Sequence, residues 1–262
     1  MVNPMPQIRT VKEDSTLVII DGGGGLGYLP TVLATREAIK RAKSTGLGAG
    51  VVRHIGHYGA AGIYTRMCAE AGCIGFSVQG SIPREFPDLP VALLGWPPMS
   101  FAIPAGSGPP IVLDAGTRFF GDDDVDLFGR IPAAFFKSLG FTVVAKVLGG
   151  VLTGQMLPEG QKIQEQWPSH AGGAFVFALD VAHFVSEEDF RKEIDRMHRD
   201  IASQMRPMPG YDRALLPGAL EAEREEAYRL EGIPISKVTQ QRVTETAKEY
   251  GVSVPWRAER SL

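Results

Sequence analysis

The sequence predicts an α/β fold built as a layered mixed sheet with flanking helices, and three observations support this prediction. Short apolar runs alternate with helical patterns in the first half of the chain. Proline and glycine separate further short apolar runs in the middle, and the last third has long segments of helical periodicity. With 262 residues, 44% of them hydrophobic, we expect residues 1–262 to form a single domain.

The first half contains the alternation itself. Leu17–Ile20 has the pattern of a short buried strand, and Pro30 suits the first turn of a helix. After His57, apolar side chains recur with the spacing of one helix face. The predicted elements are a strand at 16–20, a helix from about Pro30 to Thr45, a strand near 48–53, a helix with the stripe Ala60, Tyr64, Met67 and Ala71, and a strand at 73–78.

The middle of the chain predicts strands at 91–94, 99–103 and 110–114, separated by proline and glycine. The apolar run Leu139–Thr153 predicts a helix packed inside the protein, because the run is too short for a membrane span and contains Lys146. A further apolar strand is predicted at 173–179.

The last third is mostly helical. Ser186–Asp189 is a capping signal, and an apolar stripe over about four turns follows it, with charged residues on the opposite face. Two more helices are predicted at about 219–231 and 236–250, the second ending at Gly251.

Composition and charge exclude several classes of partner. The net charge of −3 offers no basic surface for a nucleic acid or another polyanion. Cys68 and Cys73 are predicted to be buried, reduced thiols, and Met1–Lys12 lacks the apolar core of a signal peptide. We therefore expect a cytoplasmic protein that does not bind a membrane.

The glycine run Gly22–Gly27 imitates a dinucleotide-binding fingerprint, since Gly22, Gly24 and Gly27 follow a strand with the right spacing. A helix that starts only at Pro30 leaves these glycines too far from its N-terminus. We interpret the run as an ordinary turn and do not predict a Rossmann fold.

His57 stands on a turn between a predicted strand and a predicted helix, where loop residues often carry chemistry. Its imidazole could transfer protons near neutral pH, but a loop histidine is more often solvated or hydrogen-bonded to a helix N-terminus. A metal site is a third interpretation, because His54 lies three residues away. Zinc needs three or four ligands, however, and the remaining histidines are distant in the sequence.

The chain resembles the malate/L-lactate dehydrogenase family, which also holds ureidoglycolate, sulfolactate and diketogulonate oxidoreductases. The resemblance covers nearly the whole chain, in the family's order. Its segments are Asp21-Gly22, Gly25-Leu26-Gly27, Val52-Arg53, His57–Gly62, Gly72–Gly75, Leu94-Gly95, Ile111–Asp114, Lys137, Leu148–Gly154, Leu215–Gly218 and Glu231–Pro234. It implies a sulfolactate-dehydrogenase-like fold, NAD or NADP as cofactor, no metal, and a homodimer.

The same resemblance implies the site residues. His57 corresponds to an acid/base residue of some members. Ser81, Asp114, Ala115, Gly116 and Lys137 fall where the family contacts its nicotinamide dinucleotide. Taken singly, Ser81 and Asp114 could satisfy turn backbone, and Lys137 could be a solvated residue at a helix end. Arg53 is the candidate cation for a substrate carboxylate.

Several positions depart from the family pattern. The chain begins with a stretch resembling the one that follows the family's amino-terminal helical segment, so we expect that segment's histidine and arginine to be missing. The span from Asp114 to Lys137 is shortened and contains Asp122, Asp123, Asp124 and Asp126, predicted to be a solvated loop. Gln79-Gly80 and Trp96-Pro97 each replace Thr-Asn, and Lys146 replaces a glutamate.

Together these observations predict an NAD(P)-dependent oxidoreductase that interconverts a small 2-hydroxy acid, malate-like or lactate-like, and its 2-oxo acid. The alternative is a truncated, non-catalytic paralogue that binds a dinucleotide or assembles with a subunit. The sequence leaves open the substrate and the choice between NAD and NADP.

Overall fold

The computed structural model describes residues 1–82, 91, 94–170, 172–254 and 256, and the chain divides into two compact units. The first unit is Met1–Ala219 and the second is Leu220–Leu262. The first unit contains a seven-stranded sheet in the order β1-β2-β3-β7-β4-β5-β6. Its strands are β1 (Arg9–Glu13), β2 (Leu17–Gly25), β3 (Leu47–Ile55), β4 (Cys73–Gly80), β5 (Pro98–Ile103), β6 (Ile111–Gly116) and β7 (Gly172–Asp180).

The sheet is mixed, as predicted. β2 and β3 run parallel, and every other neighbouring pair is antiparallel. β7 lies between β3 and β4 and pairs with both along its length. This late strand therefore joins the β1–β3 part of the sheet to the β4–β6 part.

Helices cover both faces of the sheet in the first unit. On one face, α1 packs against β2, β3 and β7, and α2 packs against β4 and β5. On the other face, α3 and the π-helical turn that continues it pack against β4 and β7. The helices of the first unit include α1 (Tyr28–Thr45), α2 (Gly62–Glu70), α3 (Pro132–Lys146) with its π turn (Val147–Val151), α4 (Pro158–Gln166) and α5 (Glu187–Gln204).

Alternation along β7 divides the core between the two faces. Ala174, Val176 and Ala178 belong to the cluster under α1 and α2, whereas Phe175 and Phe177 pack with Phe76, Val78 and Ala145 beneath α3. The layered α/β architecture predicted from the sequence is confirmed at the level of side-chain packing.

Small residues bring α1 very close to β3. A Cβ added at Gly48 would lie 1.9 Å from the backbone oxygen of Ala38, and one at Gly50 would lie 2.7 Å from that of Ala34. The backbones of α1 and β3 are thus in contact at these two glycines.

The glycine run differs from its prediction in extent. β2 continues through it to Gly25, and α1 begins at Tyr28, so the glycines lie closer to the helix than predicted. Protein side chains nevertheless fill the space beside them. A Cβ at Gly24 would meet Trp167 at 2.7 Å, one at Gly25 would meet Pro6 at 2.5 Å, and one at Gly27 would meet Tyr58 at 2.6 Å.

Two predicted helix faces need correction. In α2 the buried residues include Tyr64, Thr65 and Cys68, whereas Ala60 is exposed and precedes the helix, so the apolar stripe was only partly right. The helix predicted inside the protein starts earlier, at Pro132, and buries one side only. Its other side exposes apolar residues: Phe136, Phe141, Val143, Val144, Val147 and Val151.

By length and composition alone, the segment Pro132–Val151 could cross a membrane. Its inner side is built for packing on protein: a Cβ at Gly149 would meet the Gly80 nitrogen at 2.1 Å, and one at Gly150 would meet the Ser81 carbonyl carbon at 2.8 Å. The Gly149-Gly150 pair thus allows a close approach of this helix to the end of β4.

The capping signal predicted at Ser186–Asp189 is confirmed. The Ser186 hydroxyl accepts a hydrogen bond from the Asp189 amide at the start of α5. The aspartates at 122–126 belong to a short 3₁₀ helix, Asp122–Leu127. The strand predicted at 91–94 lies partly outside the described residues, and the exposed strand β1 was not predicted.

The second unit contains α6, which begins at the boundary (Ala219–Glu231), and α7 (Lys237–Glu249). Both helices were predicted with nearly these bounds. Ser236 caps α7 by accepting a hydrogen bond from the Thr239 amide.

Candidate active site

A cleft of about 530 Å³ opens where β3 and β4 end. The loop after β3, the end of β4, the segment before β5, the last residue of α3 and the approach to β7 contribute its walls. The described lining residues are Ile55, Gly56, His57, Gln79, Gly80, Ser81, Ile82, Leu94, Gly95, Trp96, Pro97, Pro98, Lys146, Pro168, Ser169 and Gly172.

His57 presents an exposed imidazole to this cleft from a backbone that is fixed on both sides. The Gly27 amide donates to the His57 carbonyl oxygen at 2.9 Å. The Gly56 amide donates to Gly25 O at 2.7 Å, and Gln79 Nε2 donates to Gly56 O at 2.6 Å. The His57 imidazole and the Tyr28 ring pack edge to face, with their ring centroids 5.9 Å apart. The backbone around His57 is therefore fixed before any ligand arrives.

The residues after His57 explain why the loop keeps this shape. Tyr58 is completely buried, and its hydroxyl lies 3.3 Å from the Ser77 hydroxyl oxygen. The Tyr64 hydroxyl donates to the Tyr58 carbonyl oxygen. Gly59 adopts φ +86°, where glycine has no steric penalty, and a Cβ there would collide with the Tyr28 ring.

His54 is separate from this cleft. It is buried at 2% exposure with φ +56°, and its Nδ1 lies 3.1 Å from Asp21 Oδ1. His54 and His57 therefore face different surroundings and do not form a metal pair. Within the described residues, no group of three or more His, Cys, Asp or Glu side chains could hold a metal ion.

The Asp21 carboxylate collects the polar contacts around His54. The Gly23 amide donates to it at 2.9 Å, and Arg53 and Arg9 lie 3.5 and 3.6 Å from Oδ2. Burial raises the pKa of Asp21, but the hydrogen bonds from His54 and Gly23 and the charges of His54 and Arg53 outweigh it and lower the pKa to about 2. Because the carboxylate is ionised at neutral pH, His54 Nδ1–H must be the donor.

Of the predicted cofactor residues, Ser81 lines the cleft beside His57. Gly116 lies next to the cleft wall, since a Cβ added at Gly116 would be 3.9 Å from Trp96, which forms part of that wall. Asp114 lies over the start of α2, where a Cβ at Gly62 would meet its Oδ2 at 2.5 Å. Asp114, Ala115 and Gly116 are on β6 and are not among the described lining residues.

Lys137 is exposed on α3, nine residues before Lys146. At 1.5 Å and 100° per residue, the two lysines are about 13 Å apart along the helix axis and on opposite sides of it. The structure thus brings together His57 and Ser81 but not Lys137. The cofactor roles of Ser81, Asp114, Ala115, Gly116 and Lys137 stay predictions.

Arg53, the predicted partner for a substrate carboxylate, is engaged elsewhere. Its guanidinium lies 3.5 Å from Asp21 and 3.3 Å from Glu159, and the described cleft lining does not include it. The cation in the described wall is instead Lys146, to which the sequence analysis assigned no role in the site. The sequence feature that could have indicated Lys146 is its charge within an otherwise apolar helical run.

The described part of the cleft wall carries no negative charge. Among the described lining residues, His57 and Lys146 are the only ionisable side chains, and none is a carboxylate. Burial lowers the pKa of Lys146. Trp96 adds an aromatic surface that is 59% exposed, with the Arg118 guanidinium 3.5 Å from its ring centroid. The arrangement can take an anionic ligand with a flat apolar part and offer it one imidazole.

Comparison with known proteins places this cleft in a family context. The family model described as malate/L-lactate dehydrogenase matches residues 1–127 and 126–244. The chain belongs to the malate/L-lactate dehydrogenase family. Malate dehydrogenase of Pyrococcus horikoshii is 28% identical over 289 residues, covering 96% of this chain and 79% of the relative. Ureidoglycolate dehydrogenase (NAD(+)) of Escherichia coli K12 is 27% identical, covering 89% of this chain and 75% of the relative.

Solved structures of the family have the same fold. The structure of the Pyrococcus horikoshii malate dehydrogenase matches with a TM-score of 0.77 at 26% identity, over 96% of this chain and 79% of that one. Sulfolactate dehydrogenase from Methanocaldococcus jannaschii matches with a TM-score of 0.72 at 24% identity, over 95% and 80%. The sulfolactate-dehydrogenase-like fold predicted from the resemblance is confirmed.

Proposed function

We propose that this protein is an NAD(P)-dependent oxidoreductase that interconverts a small 2-hydroxy acid, malate-like or lactate-like, and its 2-oxo acid. The observation that supports this most is the exposed imidazole of His57, held in a cleft whose charge favours anions, in a member of a dehydrogenase family. The named malate and ureidoglycolate dehydrogenases act on acids of this kind.

The cleft suits the nicotinamide end of a dinucleotide. Its volume lies in the range of small-molecule sites, roughly 300–1,000 Å³. Trp96 provides an apolar surface for a flat ring, and Ser81 provides a hydroxyl for a carboxamide or ribose. Gly116, Ala115 and Asp114 continue from the Trp96 wall and would hold the remainder of the cofactor, with Lys137 as a more distant candidate for a phosphate. One relative carries NAD(+) in its name, which favours NAD for this chain.

His57 would move the proton. In the oxidation, neutral His57 accepts the proton of the substrate hydroxyl; in the reduction, protonated His57 donates it to the carbonyl oxygen. When bound, the nicotinamide supplies the hydride acceptor or donor for the substrate carbon. The fixed backbone of residues 56–58 keeps the imidazole aimed at the cleft, so little ordering is needed on binding.

Substitution of His57 tests the proposal. In His57→Ala we expect turnover of a 2-oxo acid panel to fall by about 100-fold or more, while titration of nicotinamide fluorescence gives a nearly unchanged dissociation constant. His183→Gln is the matched control, because this histidine lies on a short 3₁₀ helix outside the described cleft lining. Unchanged kinetics in His57→Ala would remove the acid/base role from His57.

A non-catalytic family member that binds a dinucleotide or only assembles with a subunit is the second candidate. Gln79 and Trp96, two positions that depart from the family's Thr-Asn pattern, both line the cleft, which favours this reading. Saturable nicotinamide binding with no oxidation or reduction of any small 2-oxo or 2-hydroxy acid would support it. Measurable turnover with either nicotinamide would exclude it.

We further propose a cytoplasmic homodimer. The exposed apolar side of α3 carries Phe136, Val143, Val144 and Val147, a stripe that isolated monomers rarely leave in contact with water. Sedimentation analysis tests assembly: the wild-type chain should sediment as a dimer and Phe136→Glu as a monomer. A wild-type monomer would contradict the proposal.

The cytoplasmic part of the proposal is supported by the cysteines. Cys68 and Cys73 are buried free thiols, as expected in a reducing compartment.

A further inference from the structure

Lys146 forms part of the cleft wall at the point where α3 ends. The residue is only 8% exposed, so its aliphatic stem is packed while its amino group reaches the wall next to Gly95. A Cβ at Gly95 would lie 3.8 Å from Lys146 Nζ and 3.9 Å from Cε. The ammonium thus borders the segment that carries Trp96.

Among the described residues, this ammonium has no counter-charge. Across the part of the chain that the structure describes, no carboxylate or hydrogen-bond acceptor contacts Lys146 Nζ. By contrast, Arg53 and Lys43 each form an ion pair with an aspartate. Placing a cation in partial burial without a partner costs free energy, and burial accordingly lowers the pKa of Lys146. An anion entering the cleft would restore the lost solvation of the ammonium.

Other polar groups of the wall are less available for an anion. Gln79 Nε2 already donates to the Gly56 carbonyl oxygen. Ser169 Oγ already accepts a hydrogen bond from the Met1 amino group. The Ser81 hydroxyl is neutral, and His57 is needed for proton transfer under the proposed function.

We infer that Lys146 binds the carboxylate of the substrate and thereby selects 2-oxo and 2-hydroxy acids over neutral carbonyl compounds and alcohols. This inference rests on the proposed function. A single ammonium matches the single charge of a carboxylate next to the reacting carbon, whereas a pyrophosphate usually recruits several amides or an arginine as well. His57 and Lys146 line one cleft, and the inference assigns the proton-transfer group and the carboxylate anchor to these two residues.

Binding of unreactive ligands tests this without turnover. Oxamate carries a carboxylate, and oxamide is its neutral counterpart; both are titrated by calorimetry with and without saturating NADH. We expect the wild-type protein to prefer oxamate, and Lys146→Gln to weaken oxamate binding by about 10- to 100-fold with little effect on oxamide. Lys146→Arg keeps the positive charge and should retain most of the preference.

Lys40→Gln is the matched control, since Lys40 is exposed on α1 and lies outside the described cleft lining. Melting temperatures of all variants separate lost binding from lost folding. If Lys146→Gln does not fold, Lys146→Arg and Lys146→Met carry the comparison of oxamate with oxamide.

The outcomes divide cleanly. Equal oxamate affinity in the wild type and Lys146→Gln overturns the inference, as does a loss that falls on NADH affinity in place of oxamate. If the wild type reduces 2-oxo acids and the KM is unchanged in Lys146→Gln, the inference is overturned while the proposed function stands. A wild type that binds oxamate through Lys146 but transfers no hydride supports the anion site and refutes the redox function.

Discussion

Replacing Asp21 by asparagine removes the charge at the centre of the His54 network while keeping the size of the side chain. Asp21 is 2% exposed and accepts hydrogen bonds from His54 Nδ1 and the Gly23 amide, with Arg53 and Arg9 nearby. Asparagine can still accept from one of these donors, but it cannot balance the arginines. His54 also keeps a left-handed backbone conformation at φ +56°, which a weaker partner would hold less firmly.

The pKa of Asp21 sets the size and the pH range of the effect. A carboxyl whose pKa falls from 3.8 to about 2 on folding stabilises the folded state by about 2 kcal/mol when it is ionised. Because the folded pKa is the lower one, this stabilisation is complete above pH about 4. It disappears as the pH falls from about 4 through about 2.

Urea denaturation of the wild type and Asp21→Asn at pH 7, 4 and 3 measures this directly. We expect a difference in unfolding free energy of about 2 kcal/mol at pH 7 that shrinks at pH 3. Asp126→Asn, an exposed substitution, should change it by less than about 0.5 kcal/mol at each pH. A difference between the wild type and Asp21→Asn that stays the same from pH 7 to pH 3 would refute the electrostatic reasoning.

Three further predictions concern packing, capping and thiol chemistry. Gly48→Ala should prevent stable folding, because the new Cβ would lie 1.9 Å from Ala38 O. The control Gly129→Ala, where a Cβ has nothing within 4 Å, should melt close to the wild type. A Gly48→Ala melting temperature equal to that of the wild type would contradict the contact. Ser186→Ala should cost about 1 kcal/mol in urea denaturation through loss of the α5 cap, and no change would argue against that hydrogen bond. Burial raises the pKa of Cys68 to about 12 and that of Cys73 to about 11. Neither thiol should therefore react with a thiol reagent at pH 8 until the protein unfolds. Rapid labelling of the folded protein would contradict the burial of these thiols.

Periodicity and turn residues predicted most of the fold. The strand at 173–179 and the helices at 219–231 and 236–250 agree with the structure within a few residues. The sequence could not predict which side of the apolar helix α3 is exposed, because both sides are apolar and only the tertiary contacts distinguish them. It could not place β7 between β3 and β4 either, since strand order depends on long-range pairing.

The candidate site was predictable only in part. The loop position of His57 alone favours a solvated side chain, and the family resemblance is what identified this histidine as an acid/base candidate. In the structure His57 lines the cleft. Arg53 is adjacent in sequence, but β3 directs it toward Asp21 and Glu159. Lys146 comes from a helix almost ninety residues further along, and no local pattern links it to His57.

The position of β7 has a consequence for synthesis of the protein on the ribosome. Strands β1–β3 and β4–β6 are complete long before residue 172 emerges, yet each set has an open edge that only β7 fills. Gly172 and Ser169 also line the cleft that contains His57. The nascent chain must therefore keep two half-sheets from pairing with other chains until β7 arrives, and ligand binding can begin only after that last insertion.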